Sequence, residues 1–321
     1  MTPSPPRLAG WSLPRIGLGT GTWAHDAAIP QAHWDELVAC VLAGPEPFID
    51  TAALYGAGLS EQRLGAALRG VPRQHYRLAS KAGWDTSSGT PRNNFSRDFI
   101  RRSVEASLGR LGLEHLDIVH VHDPDCCPRQ ALDEAFPALY ALREQGVIGA
   151  VGAGMNQWHM LADFARQADV DCFLLVGRYT LLEQTALPLL DLCAEKGLTL
   201  FLGGVYNSGI LATGPVPGAR HNYAPAPPEV LERARRLADA CARHGVALSA
   251  AALQFALAHP AVRTLVIGCN TPAEFNAALT GVEAPIPAAL WADLRAAGLV
   301  AAEAPAPTAV NREVAKSAKK P

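Results

Sequence analysis

Eight short apolar runs, separated by longer segments with helical spacing, limit the folds open to this chain of 321 residues. The runs occupy residues 15–19, 47–50, 76–81, 116–122, 147–152, 172–176, 198–202 and 264–267. Several show little alternation of apolar and polar residues, which is typical of parallel strands that helices cover from outside. Eight such strands alternating with helices predict an α/β fold, a single-domain (β/α)8 or TIM barrel.

The segments between the runs have the apolar spacing and the end signals of helices. They are residues 31–43, 60–69, 97–112, 129–145, 156–168, 183–196, 227–245, 249–259, 272–280 and 287–299. Ser60, Ser249 and Thr271 stand where a helix cap is expected, and Pro272 suits a first helical position. A long stretch without clear periodicity, 203–226, follows the seventh run. We predict that residues 1–300 form the barrel and that the Ala-, Pro- and Lys-rich tail, 301–321, is poorly ordered.

An open, doubly wound sheet is the alternative architecture for such a pattern. That fold needs a glycine-rich phosphate turn after its first strand. The nearest candidate, GLGTGTW at 17–23, lacks the G-x-G-x-x-G spacing, so the barrel is favoured.

Composition restricts the partners and the compartment. A net charge of -2, with 18% charged and 49% hydrophobic residues, gives no electrostatic basis for binding nucleic acid or a membrane surface. The sequence shows neither a signal peptide nor an apolar stretch of membrane-spanning length. Its seven scattered cysteines include no C-x-x-C pair, and we interpret the adjacent Cys126 and Cys127 as unreactive thiols. We therefore expect a cytoplasmic protein without a metal site; its oligomeric state stays open.

Three neighbouring runs end in side chains that carry chemistry, at the rim where barrel enzymes bind substrates. Asp50, Lys81 and His122 end the second, third and fourth runs, and Tyr55 follows in the next loop. A free tyrosine, with a pKa near 10, is a poor base at neutral pH, but a neighbouring ammonium lowers that pKa. Asp50 would keep Lys81 charged, while His122 would hydrogen-bond a substrate oxygen. Each residue alone has an ordinary structural interpretation; together they indicate general acid/base catalysis.

The segment FIDTAALYGAGLSEQRLG, at 48–65, resembles the signature of the aldo-keto reductase superfamily, in which four residues separate Asp from Tyr. Further resemblances lie at 13–23, 78–84, 116–125 and 265–275. The resemblance implies a (β/α)8 barrel, a nicotinamide cofactor, and a catalytic tetrad of Asp50, Tyr55, Lys81 and His122. Tyr55 would be its general acid/base.

Three other stretches, 151–158, 171–184 and 202–214, resemble the branch that contains L-fucose and D-threo-aldose 1-dehydrogenases. This implies NAD(P)-dependent oxidation of an aldose at the anomeric carbon to an aldonolactone. Two alternatives remain open: an oxidoreductase of other alcohols or aldehydes, such as a pyridoxal 4-dehydrogenase, and a non-catalytic subunit that senses nicotinamide nucleotides. The sequence does not indicate which sugar is the substrate.

The same resemblance places the ligand contacts. The predicted cofactor-binding residues are Gly19, Thr20, Asp50, Asn156, Gly203, Gly204, Gly268 and Asn270. Asn156 would bind the nicotinamide carboxamide, and glycines after the seventh run would let backbone approach the dinucleotide. The predicted substrate-binding residues are Trp23, Tyr55, Trp84, His122 and Tyr206. Arg178 and Tyr179 could face a ligand or form a structural pair.

The cofactor preference follows from charge. The 2′-phosphate of NADP is typically bound by arginine or lysine. Residues 264–294 contain neither, and Asn270 stands where many NADP-using relatives have a basic residue. We therefore expect NAD as the cofactor, with NADP also possible.

Overall fold

Eight parallel strands close into a barrel, which confirms the predicted single-domain (β/α)8 fold. A computed structural model of the protein describes residues 7–8 and 10–307. The barrel strands are β1 (Ile16–Gly19), β2 (Phe48–Asp50), β3 (Arg77–Ala82), β6 (Leu116–His122), β7 (Ile148–Met155), β8 (Cys172–Val176), β9 (Thr199–Gly203) and β12 (Val262–Gly268). Their order around the barrel is β1-β12-β9-β8-β7-β6-β3-β2. All eight predicted runs are strands.

Two short hairpins lie outside the barrel. One pairs β4 (Trp84–Asp85) with β5 (Arg92–Asn93), and the other pairs β10 (Arg220–His221) with β11 (Ala224–Pro225). The helices are α1 (Gln31–Leu42), α2 (Leu59–Ala67), α3 (Arg97–Leu111), α4 (Pro128–Gln130), α5 (Phe136–Glu144), α6 (Trp158–Gln167), α7 (Leu187–Lys196), α8 (Ile210–Thr213), α9 (Pro228–Arg243), α10 (Leu248–Ala256), α11 (Pro272–Glu283) and α12 (Ala288–Ala296). A π-helical turn, Ala131–Ala135, joins α4 to α5.

Side chains fill the barrel interior, so it contains no channel. Phe48 and Phe201 stack there with ring centroids 4.9 Å apart. Leu8, from the segment before β1, joins the same interior cluster and is fully buried. Because the interior is packed, a ligand site on this fold has to lie on the rim formed by the carboxyl ends of the strands.

Two of the predicted helix caps are wrong. Helix α2 begins at Leu59 after Gly58, and the hydroxyl of Ser60 donates instead to Thr20 Oγ1 at 2.7 Å. Helix α10 begins at Leu248 after Ala247, which places Ser249 inside the helix. The prediction for α11 is confirmed, since the side chain of Thr271 accepts a hydrogen bond from the Glu274 backbone amide.

Two predicted irregular segments contain ordered structure. The stretch 203–226 includes α8 and the β10–β11 hairpin, whose short pairings give no periodic signal. At the start of the tail, Ala304 is fully buried and its carbonyl accepts a hydrogen bond from Arg295 at 2.8 Å. The rest of the tail, 308–321, lies outside the described residues. Across the part of the chain that the structure describes, we find no helix with the length and apolar character needed to span a bilayer.

Candidate active site

Three neighbouring strands of the rim, β2, β3 and β6, carry the site. The ammonium of Lys81 lies at its centre. Lys81, near the end of β3, donates to Asp50 Oδ1 at 2.5 Å and to the Thr51 carbonyl at 2.8 Å. Its third hydrogen bond goes to the Tyr55 hydroxyl at 3.0 Å. An ammonium has three donors. All three of them are therefore used, and Asp50 and Thr51 fix the direction of the one that reaches Tyr55.

The position of Tyr55 depends on the sharp turn that follows it. Residues Gly56, Ala57 and Gly58 all have positive φ, and they turn the chain from the end of β2 into α2. A Cβ on Gly56 would lie 2.2 Å from that of Ala24, so only glycine fits there. The Tyr55 ring then lies edge-on to the His122 imidazole, with centroids 6.0 Å apart. The structure thus brings the four predicted catalytic side chains together.

The electrostatics of the site differ from the sequence-based expectation in one respect. Burial raises the pKa of Tyr55 above its usual value, and the Lys81 ammonium only partly offsets this. Burial therefore outweighs the ammonium, and the expected lowering of this pKa below 10 is wrong. Burial disfavours the charged form of Lys81, but the Asp50 carboxylate and Tyr55 together raise its pKa, so it stays an ammonium. Burial and the Lys81 charge hold the pKa of His122 well below its usual value, which keeps the imidazole neutral.

Sequence reasoning gave no role to Asp123, which directly follows His122. Its backbone has a φ of 47°, and its Oδ2 lies 3.6 Å from His122 Nε2. Burial and the nearby Asp125 raise the pKa of Asp123 to about 6. A partly buried carboxyl beside the imidazole is a further polar group at the rim. In the sequence, the indication of this group was that Asp123 directly follows the histidine that ends β6.

The raised pKa of Asp123 gives a pH-dependent stability prediction. The unfolded chain loses this proton near pH 4, and the folded chain near pH 6, so ionisation costs stability as pH rises between these values. Asp123→Asn, which suits a positive φ equally well, should therefore stabilise the protein by about 1 kcal/mol above pH 6. The gain should shrink toward pH 4. Urea unfolding at pH 4.5, 6 and 8 measures it, and an equal gain at every pH would contradict the assignment.

Other predicted cofactor residues follow β7, β9 and β12 on the same rim. Asn156 directly follows β7, and its Nδ2 donates to the Val176 carbonyl at 3.0 Å. Gly204 is exposed with a φ of 63°, just after β9. Beside Gly268, at the end of β12, an added Cβ would meet no atom within 4 Å. An amide side chain and open glycine backbone along one rim fit a dinucleotide.

Asn270, a predicted cofactor contact, lies just before α11 and makes two hydrogen bonds. The Asn270 side chain accepts a hydrogen bond from Thr22 at 2.8 Å. The Glu274 carboxylate accepts one from the Asn270 backbone amide at 2.7 Å. A negative charge therefore lies at the helix N-terminus, which would otherwise favour an anion.

The remaining predicted cofactor- and substrate-binding residues differ in their burial. Gly19 pairs with Asp50 across the β1–β2 ladder, and the hydroxyl of the next residue, Thr20, donates to the Asp50 carbonyl at 3.2 Å. Gly203 is the buried last residue of β9. Trp84, in β4, and Tyr206, after β9, are half-buried. Burial raises the pKa of Tyr206 to about 12.

Trp23 does not lie in the site. Its ring is fully buried and stacks on Trp34, with centroids 4.7 Å apart, while its Nε1 donates to the Cys269 carbonyl at 3.1 Å. We therefore assign it a packing role instead of the predicted substrate contact. Tyr179 is likewise in the core, stacked on Phe255.

A cavity of about 580 Å³ lies on the rim next to Asn156. Its lining includes Arg178, whose Nη1 lies 3.2 Å from Glu183 and 3.3 Å from Asn222.

Cys126 and Cys127, in the loop after His122, carry free thiols with their sulfurs 3.2 Å apart. The described residues contain no cluster of three or more His, Cys, Asp or Glu side chains that could hold a metal ion.

Comparison with known proteins places this geometry in context. A model of the aldo/keto reductase family matches residues 15–298. D-threo-aldose 1-dehydrogenase from a Pseudomonas species is 37% identical over 91% of this chain and 96% of its own. Pyridoxal 4-dehydrogenase from Microbacterium luteolum is 33% identical over 91% of this chain and 96% of its own. The holo form of an aldo-keto reductase from Bacillus halodurans superposes with a TM-score of 0.74, at 26% identity, over 90% of this chain and 92% of its own.

Proposed function

The chain belongs to the aldo/keto reductase family, and we propose that it oxidises an aldose at the anomeric carbon to the aldonolactone, with NAD as the cofactor. The observation that carries this proposal is the 3.0 Å hydrogen bond from Lys81 to the Tyr55 hydroxyl. The other two donors of Lys81 are held by Asp50 and Thr51, so the ammonium is fixed toward the phenol. The relative named D-threo-aldose 1-dehydrogenase supports the substrate class.

In the proposed reaction, the phenolate of Tyr55 accepts the proton of the anomeric hydroxyl. The electrons of that O–H bond form the C=O bond of the lactone as hydride leaves C1. When bound, the oxidised nicotinamide supplies the acceptor for this hydride. Lys81 stabilises the phenolate, and the neutral imidazole of His122 hydrogen-bonds the anomeric oxygen. Each step assigns one residue to one proton or oxygen, so each can be tested by a single substitution.

The rim residues would hold the dinucleotide. Asn156 would bind the nicotinamide carboxamide, and the exposed backbone at Gly204 and Gly268 would let the dinucleotide approach closely. Glu274, with its carboxylate at the start of α11, would accept a hydrogen bond from an adenosine ribose hydroxyl. The same carboxylate would repel a 2′-phosphate, which supports NAD over NADP.

Placing a cation beside this ribose position should improve the use of NADP. A hydrogen bond to a charged group contributes about 1.5–3 kcal/mol, so Asn270→Arg should raise kcat/KM with NADP roughly ten- to hundredfold. Leu279→Arg adds the same charge further along α11 and should change neither cofactor's kcat/KM. Rates with both cofactors test this. A wild-type enzyme that already prefers NADP strongly would show that another residue binds the phosphate.

Initial rates across a substrate panel test the proposed activity. Purified protein would be assayed with NAD and NADP against L-fucose, D-arabinose, L-galactose, L-xylose and pyridoxal. We expect NAD-dependent oxidation of at least one aldose. We also expect that an aldose has the highest kcat/KM of the panel. Pyridoxal is the second candidate substrate, because a relative named pyridoxal 4-dehydrogenase also matches most of the chain. No turnover with any member would favour the non-catalytic, nucleotide-sensing alternative.

A further inference from the structure

A fully buried carboxylate lies behind the catalytic strands and has no part in the proposed reaction. Glu61, in the first turn of α2, is 0% exposed. Its Oε1 accepts a hydrogen bond from the Ser80 hydroxyl at 2.6 Å, and its Oε2 accepts one from Arg110 Nε, also at 2.6 Å. A buried ion pair is weak evidence for stability, because the cost of removing the charges from water can exceed the attraction between them. What this carboxylate holds in place is therefore more informative than its contribution to stability.

The first partner of Glu61 connects it to the catalytic lysine. Ser80 directly precedes Lys81 in β3, and it is buried as well. Successive side chains of a strand point to opposite faces, so Lys81 points toward the barrel mouth while Ser80 points toward the surrounding helices. The hydrogen bond from Ser80 to Glu61 thus attaches the backbone beside Lys81 to α2.

The second partner connects the same carboxylate to the turn after the catalytic tyrosine. Arg110, near the end of α3, packs against Gly58, where an added Cβ would lie 2.6 Å from Arg110 Cδ. Gly58 has a φ of 94° and is the last residue of the sharp turn that follows Tyr55. Arg110 Nη2 also donates to the Ser107 hydroxyl at 3.1 Å, within its own helix. The arginine is therefore held between α2, α3 and the turn.

Glu61 thus contacts both segments that form the hydrogen bond on which the proposed reaction depends. Lys81 Nζ lies 3.0 Å from the Tyr55 hydroxyl, and the two residues come from β3 and from the loop after β2. The strand fixes Lys81, but Tyr55 reaches it only because of the turn at 56–58. A carboxylate that holds the residue before Lys81 and the far end of this turn limits how far the two groups can separate.

We propose that Glu61 is a positioning residue, which keeps the Lys81 ammonium and the Tyr55 hydroxyl at hydrogen-bonding distance. It acts through Ser80 and Arg110 and contacts no reacting atom. This inference rests on the acid/base role of Tyr55 in the proposed function, but on no particular substrate. Positioning matters at this scale, because a misplacement of about 1 Å can lower a rate by about 10²-fold.

Substitutions of Glu61 separate positioning from packing. Glu61→Met keeps a side chain of similar length but removes both hydrogen bonds, so kcat should fall roughly ten- to hundredfold. Because Lys81 offsets part of the burial that raises the pKa of Tyr55, a looser contact should also move the rising limb of the pH–rate profile to higher pH. Glu61→Gln can still accept from Arg110 and donate to the Ser80 oxygen, so it should keep most of the turnover and the wild-type limb.

Two further variants make the test independent of how well Glu61→Met folds. Ser80→Ala removes only the link to β3 and should lower kcat by a smaller factor, with the limb moved in the same direction. Arg143→Met breaks another largely buried ion pair, in which Arg143 Nη1 lies 2.8 Å from Asp171 Oδ2 at the amino end of β8. It should lower the melting temperature and leave kcat and the limb unchanged.

The Kd of NADH, followed by its fluorescence, should be equal in all these variants, because none of them alters a predicted cofactor contact. Wild-type kcat and an unmoved limb in both Glu61→Met and Ser80→Ala would overturn the inference. So would an equal shift of the limb in Arg143→Met, or a loss in Glu61→Gln as large as that in Glu61→Met. A wild-type enzyme that turns over no substrate of the panel would instead overturn the proposed function, and the inference with it.

Discussion

Tyr55→Phe should lower kcat for aldose oxidation by about 10²- to 10⁴-fold, the contribution of a positioned acid/base. The substitution keeps the ring that lies edge-on to His122 and deletes only the oxygen that Lys81 contacts at 3.0 Å. Steady-state rates of NADH formation, together with the Kd of NADH, measure the effect. The Kd should stay close to the wild-type value, because the phenol acts on the substrate proton.

A matched substitution shows whether the loss is specific. Tyr76, which precedes β3, is also a buried tyrosine, but it lies outside the site beside Arg73. Tyr76→Phe should retain wild-type turnover. Near-normal turnover in Tyr55→Phe, or an equal loss in both variants, would remove Tyr55 from the proposed mechanism.

Lys81→Met should damage both activity and stability. Asp50 is 3% exposed, and without its partner it would be a buried, uncompensated charge, which costs about 3–5 kcal/mol of unfolding free energy. Activity should fall because the phenolate loses its neighbouring ammonium. Since Lys81 offsets part of the burial that raises the pKa of Tyr55, its removal should raise that pKa further. The rising limb of the pH–rate profile should therefore move to higher pH.

A double substitution separates the two effects of losing Lys81. Asp50→Asn together with Lys81→Met removes both charges, so most of the lost stability should return while the activity does not. Urea unfolding and the pH dependence of kcat/KM provide the two measurements. A pH profile unaffected by Lys81→Met would show that the ammonium does not tune the base.

The strands and the catalytic rim could be predicted because both depend on local sequence. Parallel strands buried on both faces require short apolar runs, and the runs at 116–122 and 172–176 coincide with β6 and β8. Only β7 extends well past its run, to Met155, because its small residues Gly152, Ala153 and Gly154 give a weak apolar signal. Once the strand ends are known, the residues at those ends follow.

The features that escaped prediction depend on contacts between distant parts of the chain. Ser60 has the residue type of a helix cap, but its hydroxyl bonds to Thr20, forty positions earlier. The pKa of Tyr55 depends on how deeply the fold buries it, which the Asp–Tyr–Lys pattern does not contain.

The fate of the hydrogen on C1 tests the central claim most directly. L-fucose, or the preferred aldose of the panel, would be supplied with deuterium at C1 and incubated with NAD and wild-type enzyme. We predict that the deuterium appears in the reduced cofactor, that the sugar product is the aldonolactone, and that Tyr55→Phe forms neither at an appreciable rate. Deuterium retained in the sugar, or reduced cofactor formed without lactone, would contradict oxidation at the anomeric carbon.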